Sequence, residues 1–147
     1  YLALALCEVD TPCPPSTISI VESSESWSDG ECLLQALRDR TPGRYVHSLS
    51  NFDIGGFEKY AVAVVTDSGE VLRSGYDDAV FSVIDRSYVG SQRCTLQSPD
   101  YFAACLDAGA MLSGTSNGTA GRVCDNIEEW FVTCEAVEPT CQPTSDG

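Results

Sequence analysis

Positive charge is nearly missing from this chain. Lys59 is its only lysine, and eight basic residues stand against 22 acidic ones, for a formal net charge of −14. A surface of that sign repels phosphate backbones and anionic lipid headgroups, so nucleic acid is excluded as a partner. Histidine is as scarce: His47 stands alone. A mixed Cys/His zinc site has no second imidazole to draw on, and a general base at His47 has no nucleophile tied to it by any motif. No C-x-x-C pair occurs, which removes zinc ribbons and thioredoxin-like redox sites. No apolar run approaches the roughly 20 residues of a membrane-spanning helix, so no transmembrane segment is expected. No internal repeat is visible.

What the chain does have is cysteine. Cys7, Cys13, Cys32, Cys94, Cys105, Cys124, Cys134 and Cys141 make an even set of eight. Reduced cytosolic proteins rarely carry so many without a metal, so the expectation is four disulfides and an oxidising compartment. That means a secreted protein, extracellular or at the cell surface, with the periplasm or a lipid anchor as variants. Eight cysteines allow on the order of a hundred pairings, and spacing does not choose among them. Three lie at or before Cys32, five at or after Cys94, and none between them. If all eight pair, at least one bridge joins the two groups, because three is odd. The stretch between the groups relies on packing and sheet hydrogen bonds.

The 147 residues are 43% hydrophobic, enough for one domain with a core. The expected division is an N-terminal apolar strand and Pro-rich hinge over residues 1–16, a globular domain over 17–141, and a tail over 142–147. In residues 1–6, Leu2, Leu4 and Leu6 point one way and Tyr1, Ala3 and Ala5 the other. These residues are read either as a mature strand or as the end of a signal peptide with a lipidated Cys7. Leu6 stands where lipoprotein processing wants a small residue.

Periodicity supplies the elements. Thr11-Pro12-Cys13-Pro14-Pro15-Ser16 is rigid and extended; Ile18-Ser19-Ile20-Val21 reads as a strand, and residues 22–26 as a loop. Ser28 and Glu31 form a capping-box pattern ahead of a helix whose Leu33, Leu34 and Leu37 share one face, with Cys32 placed to staple it. Thr41-Pro42-Gly43 stops that helix. Tyr45, His47 and Leu49 then alternate along a strand. Residues 51–56 read as a turn, 60–66 as a buried strand, and Asp67-Ser68-Gly69 as a hairpin turn with 70–74 returning. Residues 80–84 and 88–96 read as further strands. Ser98 caps a second helix that carries Pro99 and Asp100 in its first turn, with Gly109 as its stop. Residues 113–121 form a polar loop, and 127–137 a closing strand with Trp130, Val132 and Cys134 on one face. Strands in an unbroken run with segregated helices predict an α+β fold: an antiparallel sheet of about five to seven strands with two helices.

Few motifs carry chemistry. Gly114-Thr115-Ser116-Asn117-Gly118 matches the nucleophile-elbow pattern, but that motif needs a strand before it and a histidine after it, and His47 precedes it. No catalytic residue is assigned and no cofactor is expected. Asn117-Gly118-Thr119 is a glycosylation sequon, used only if the host is eukaryotic. Asp125, Asn126, Glu128 and Glu129 are the best candidate oxygen ligands for calcium, although no EF-hand order is present. Trp27, in a polar segment, and Tyr76 beside Asp77 and Asp78, in a presumed loop Gly75-Tyr76-Asp77-Asp78, are the candidate binding residues.

Three stretches resemble a family. They are Ala36-Leu37-Arg38-Asp39-Arg40-Thr41-Pro42-Gly43-Arg44-Tyr45, then Tyr60-Ala61-Val62-Ala63-Val64-Val65-Thr66-Asp67-Ser68-Gly69-Glu70-Val71, then Asp100-Tyr101-Phe102-Ala103-Ala104-Cys105-Leu106-Asp107-Ala108-Gly109. Together they resemble uncharacterised small secreted proteins and lipoproteins of bacteria. The resemblance implies a helix leading to a strand that opens on a tyrosine, then a hairpin, then a second helix. It implies no activity.

The expected function is a secreted, non-enzymatic binding or structural subunit of a surface assembly, possible as a filament, whose partner is a protein or another copy of itself. Residues 1–6 would be the assembly strand. The alternatives are a secreted inhibitor or effector docking on a protein, and then a small hydrolase. The cysteine reading makes the first prediction. Intact mass is expected to be unchanged by alkylation under denaturing, non-reducing conditions, whereas uptake of two or more alkyl groups would refute complete pairing.

Overall fold

The computed structural model describes residues 8–21, 24–51, 57–66, 69–79, 87–108, 124 and 127–138. Within them the strands are β1 Ser16–Val21, β2 Ser24–Ser28, β3 Gly43–Asn51, β4 Phe57–Val65, β5 Val71–Ala79, β6 Ser87–Leu96 and β7 Phe131–Ala136. Helix α1, Gly30–Asp39, lies between β2 and β3, and α2, Pro99–Ala108, lies between β6 and β7. The seven strands form one sheet in the order β2-β1-β3-β4-β5-β6-β7. The fold is α+β. Among the described residues, no helix is long and apolar enough to cross a membrane. Of the turn expected at 51–56, Asn51 instead ends β3 and residues 52–56 fall outside the described residues, as does the strand expected at 80–84.

Pattern and structure agree where one face of an element is plainly apolar. Leu33, Leu34 and Leu37 of α1 are buried, and so are Tyr45, His47 and Leu49 at every second position of β3. The three leucines and Tyr45 meet Ala61, Ala63 and Val65 of β4 and Phe102 and Cys105 of α2 in one core. Ser98 caps α2 as expected, its Oγ accepting from the Tyr101 N–H at 3.3 Å. Arg40 closes α1 in the left-handed region, and the Thr41 N–H reaches back to the Ala36 carbonyl at 2.9 Å.

Four expectations are corrected. The sheet is not wholly antiparallel: β1 runs parallel to β3, from Ser16 opposite His47 to Ile20 opposite Asn51. The connection between them carries β2 and α1, the long crossover that a parallel return requires. Residues 24–26, expected in a loop, belong to β2, which folds back on β1 with Ser24 opposite Val21. Pairing to a neighbour overrides the weak strand preference of Ser and Glu. The cap position falls not on Ser28, which ends β2, but on Asp29, in a left-handed conformation without a side-chain cap bond. Finally, residues 127–137 are not one strand. Ile127–Trp130 is a 3-10 turn and β7 starts at Phe131. Phe131 lies opposite Leu96 and Thr133 opposite Thr95, so Val132 has no register partner. This bulge turns Val132 outward, 59% exposed, while Trp130 is 2% exposed.

The other face of the sheet also carries a core. Val62, Val64 and Leu72 are buried there, with Val9, Val46 and Val137 packed against them. Disulfides lie around this framework. Cys13–Cys32 ties the Pro-rich segment to α1, Cys94–Cys134 joins directly opposed residues of β6 and β7, and Cys105–Cys124 ties α2 to the segment before the 3-10 turn. No described cysteine is free. Beside the first bridge, the Asp10 carbonyl accepts from the Arg44 N–H at 2.7 Å. Gly43 sits under this segment, and a Cβ there would come within 2.5 Å of Pro12 Cδ and 3.1 Å of the Asp10 carbonyl oxygen. Gly43→Ala is therefore expected to cost about 1–3 kcal/mol through forced displacement of residues 10–12, measured by denaturant unfolding. A neutral result would mean that the segment is not held there.

Candidate functional site

His47 is the natural place to look for chemistry. It faces the helices from the middle of β3, with Ser16 of β1 on one side and Ala61 of β4 on the other, and Gly75 of β5 beyond. Ala61 and Gly75 have little bulk, which leaves room on this face for large rings. Trp130 comes from the 3-10 turn to lie 5.0 Å from the imidazole, tilted by 49°. Its Nε1 donates to the Cys124 carbonyl at 2.8 Å, so the Cys105–Cys124 bridge and the indole hold each other in place. The Ser16 Oγ lies 3.2 Å from His47 Nδ1, a separation seen in nucleophile–base pairs. Ser16 is only 1% exposed and His47 4%, so the pair is closed to a substrate in this conformation and serves as a buried polar bridge between β1 and β3.

One row along the sheet, Arg73 is sunk in the same layer, its side chain 4% exposed. It forms a bidentate pair with Glu128 of the 3-10 turn, at 2.6 Å and 3.1 Å, and its guanidinium lies 5.0 Å over the Phe131 ring. The turn is thus locked by a guanidinium below it and an indole beside it. Arg40 makes a second such tie, donating from the end of α1 to the Leu37 and Gln97 carbonyls over the Phe102 ring, and burial pushes its pKa down. The signal for the Arg73 pair was present in the sequence. A charge within the apolar run Val71-Leu72-Arg73-Ser74 demands a partner, but nothing in the order of residues pointed to Glu128.

Among the described residues, the candidate residues fall on β2, β5 and the 3-10 turn. Glu128 is committed to Arg73 while Glu129 is exposed. Asp125 and Asn126, the other calcium candidates, lie outside the described residues, as do Leu2, Leu4, Leu6, Cys7, Ser116, Asn117 and Cys141. Among the described residues no group of three or more His, Cys, Asp or Glu is arranged to hold a metal. Tyr76, Asp77 and Asp78 are not in a loop. They lie within β5, with Tyr76 between Tyr60 and Tyr88, Asp77 between Lys59 and Ser87, and Asp78 opposite Glu58. Trp27 likewise lies in β2, opposite Ile18. These positions are set by strand pairing, which a search for turns overlooks.

Among the described residues the sheet has two edges, β2 and β7, each with one neighbour. They differ. The β7 edge is broken by the bulge at Val132, a common way of blunting an edge. The β2 edge pairs with β1 in unbroken register from Ser24 to Ser28. It is the more regular template for another strand.

No protein-family model, curated protein or solved structure matches this chain.

The Arg73–Glu128 pair makes a quantitative prediction. Glu128→Ala strands a buried guanidinium and is expected to lower stability by about 2–3 kcal/mol. Glu129→Ala, one residue away and exposed, is expected to change it by less than about 0.5 kcal/mol. Equal effects in chemical denaturation would contradict the assigned role of Glu128.

Proposed function

We propose that this chain is a secreted, non-enzymatic binding or structural subunit that joins a protein partner, or further copies of itself, by strand addition at the β2 edge. The observation that carries this reading is that edge itself: among the described residues it is unbroken in register and has a neighbour on one side only. An edge of this kind offers a row of backbone donors and acceptors, to which an extended segment adds with main-chain hydrogen bonds while alternate side chains set specificity. The apolar alternation of Leu2, Leu4 and Leu6 is the matching donor, supplied by another copy. Trp27 lies on the accepting strand. A head-to-tail contact of this type extends into a filament where its rotation does not close a ring. The three described disulfides are compatible with an extracellular setting. The inhibitor alternative has less support, since the Gly75–Asp78 stretch it would present as a loop is held between β4 and β6.

The net charge of −14 opposes association of copies, so salt is expected to promote it. Light scattering is expected to show full-length protein larger than a monomer, increasingly so as salt is raised, and a variant lacking residues 1–6 to remain monomeric. A peptide of residues 1–6 added to that variant is expected to slow amide exchange in β2. If both proteins are monomers at all salt concentrations and β2 exchange is unaltered by the peptide, strand addition is wrong.

A further inference from the structure

Three of the chain's six tyrosines, Tyr60, Tyr76 and Tyr88, occupy one register row across β4, β5 and β6, each directly opposite the next. The row continues beyond Tyr60. Ser48 of β3 lies opposite Tyr60, Thr17 of β1 opposite Ser48, and Ser28 of β2 opposite Thr17. Six adjacent strands thus bring a hydroxyl-bearing residue to the same row, over about 24 Å at the usual strand spacing. Tyr60 stands two residues before Val62 on β4, so strand alternation places the row on the sheet face away from the helices.

The rows on either side of it differ. On one side lie Val46 and Val62, which belong to the buried apolar cluster. On the other lie Ser26, Ser19, Ser50, Glu58 and Asp78, in order from β2 to β5. The tyrosine row is therefore the boundary between an apolar patch and a polar one. Its β1–β3 end meets water: Thr17 is exposed, Ser48 is partly exposed, and the Ser48 Oγ donates to the Thr17 Oγ1 at 3.2 Å.

β1 and β3 to β6 are interior strands, each paired on both sides. A ligand on this face is recognised by side chains, whereas strand addition at the β2 edge uses main-chain hydrogen bonds. Tyrosine offers a large flat apolar ring with a polar tip. Ser and Thr hydroxyls donate and accept, and carboxylates accept. A sugar ring is the complement, with an apolar C–H face that stacks on an aromatic ring and a rim of hydroxyls that donate and accept. None of the described positions of the tyrosine row or the polar row holds Lys or Arg, and the net charge of −14 repels anionic polymers. From this juxtaposition we infer that the far face carries a binding site for a neutral, extended polysaccharide. Tyr60, Tyr76 and Tyr88 are its stacking residues, and Thr17, Ser48 and Glu58 lie on its polar border. The site goes beyond strand addition and does not rest on it, since one uses a face and the other an edge.

The test is retention of the oxidised full chain on microcrystalline cellulose and on chitin, with calorimetric titration of cellohexaose and chitohexaose. Hexagalacturonate serves as the anionic comparison and a proline-rich peptide as the alternative occupant. Binding to at least one neutral polymer and to its hexasaccharide is expected, with none to hexagalacturonate. Tyr76→Ala is expected to weaken binding about tenfold, the scale of one stacking contact, and Tyr76→Phe to keep it within about threefold. The native protein gives an answer that does not depend on how either variant folds. The bound hexasaccharide is expected to shield Tyr60, Tyr76 and Tyr88 from nitration, mapped by peptide mass, and to leave the response of buried Tyr45 unaltered. Failure to bind either neutral polymer overturns the inference. So does shielding that maps away from the three tyrosines, equal binding of hexagalacturonate, or shielding by the proline-rich peptide in place of the sugars.

Discussion

From Ala61 onward, strand β4 has no side turned to water. Residues 61–66 are buried without interruption: Ala61, Ala63 and Val65 face the helices, and Val62 and Val64 face the opposite way. Removing a valine or leucine side chain from water is worth about 1.5–3 kcal/mol, so a strand of this kind forms only where both faces are covered. Much of the remaining architecture meets that requirement. On one face, α1 and α2 supply Leu33, Leu34, Leu37 and Phe102. On the other, part of the cover comes from Val9 and Val137, which lie before the first strand and after the last. The Pro-rich segment is therefore fixed to the body at Asp10 and Cys13 before the chain enters β1.

Charge follows the same division. None of the described acids is buried, while Arg73 and Arg40 reach inward. Each tethers an element that apolar packing alone would hold loosely. Arg73 holds the 3-10 turn down through Glu128, and Arg40 joins the end of α1 to the carbonyl just ahead of α2. His47, so conspicuous as the lone histidine, belongs to this structural set through Ser16 and Trp130.

Much of the fold was legible where a periodic apolar face met a clear start or stop. Leu33, Leu34 and Leu37 announced α1, Tyr45, His47 and Leu49 announced β3, and Ser98 announced α2. The failures have a common cause: elements defined by what they pair with leave little trace in their own residues. Ser24-Glu25-Ser26-Trp27-Ser28 is polar and reads as a loop, yet β1 makes it a strand. Tyr76, Asp77 and Asp78 look like a loop until Tyr60 and Tyr88 are set on either side. The parallel seam between β1 and β3 has no local signature, and neither does the bulge that separates Trp130 from Val132. The sheet edges that support the functional reading were illegible for the same reason, since an edge is a property of strand order.

The arrangement of the strands bears on how the chain becomes folded. From β3 to β6 each strand pairs with the next one along the chain, antiparallel, and no cysteine lies between Cys32 and Cys94. Apart from the β1–β2 hairpin, these are the pairings of lowest sequence separation in the sheet, and loop-closure entropy penalises them little. The β1–β3 seam, the docking of β7 and the cover over Val62 and Leu72 all join residues farther apart. The chain can thus assemble a four-stranded meander while its thiols are still reduced. That meander then brings Cys94 and the later cysteines to their partners, so that native pairing is selected by structure already formed rather than by trial among many alternatives.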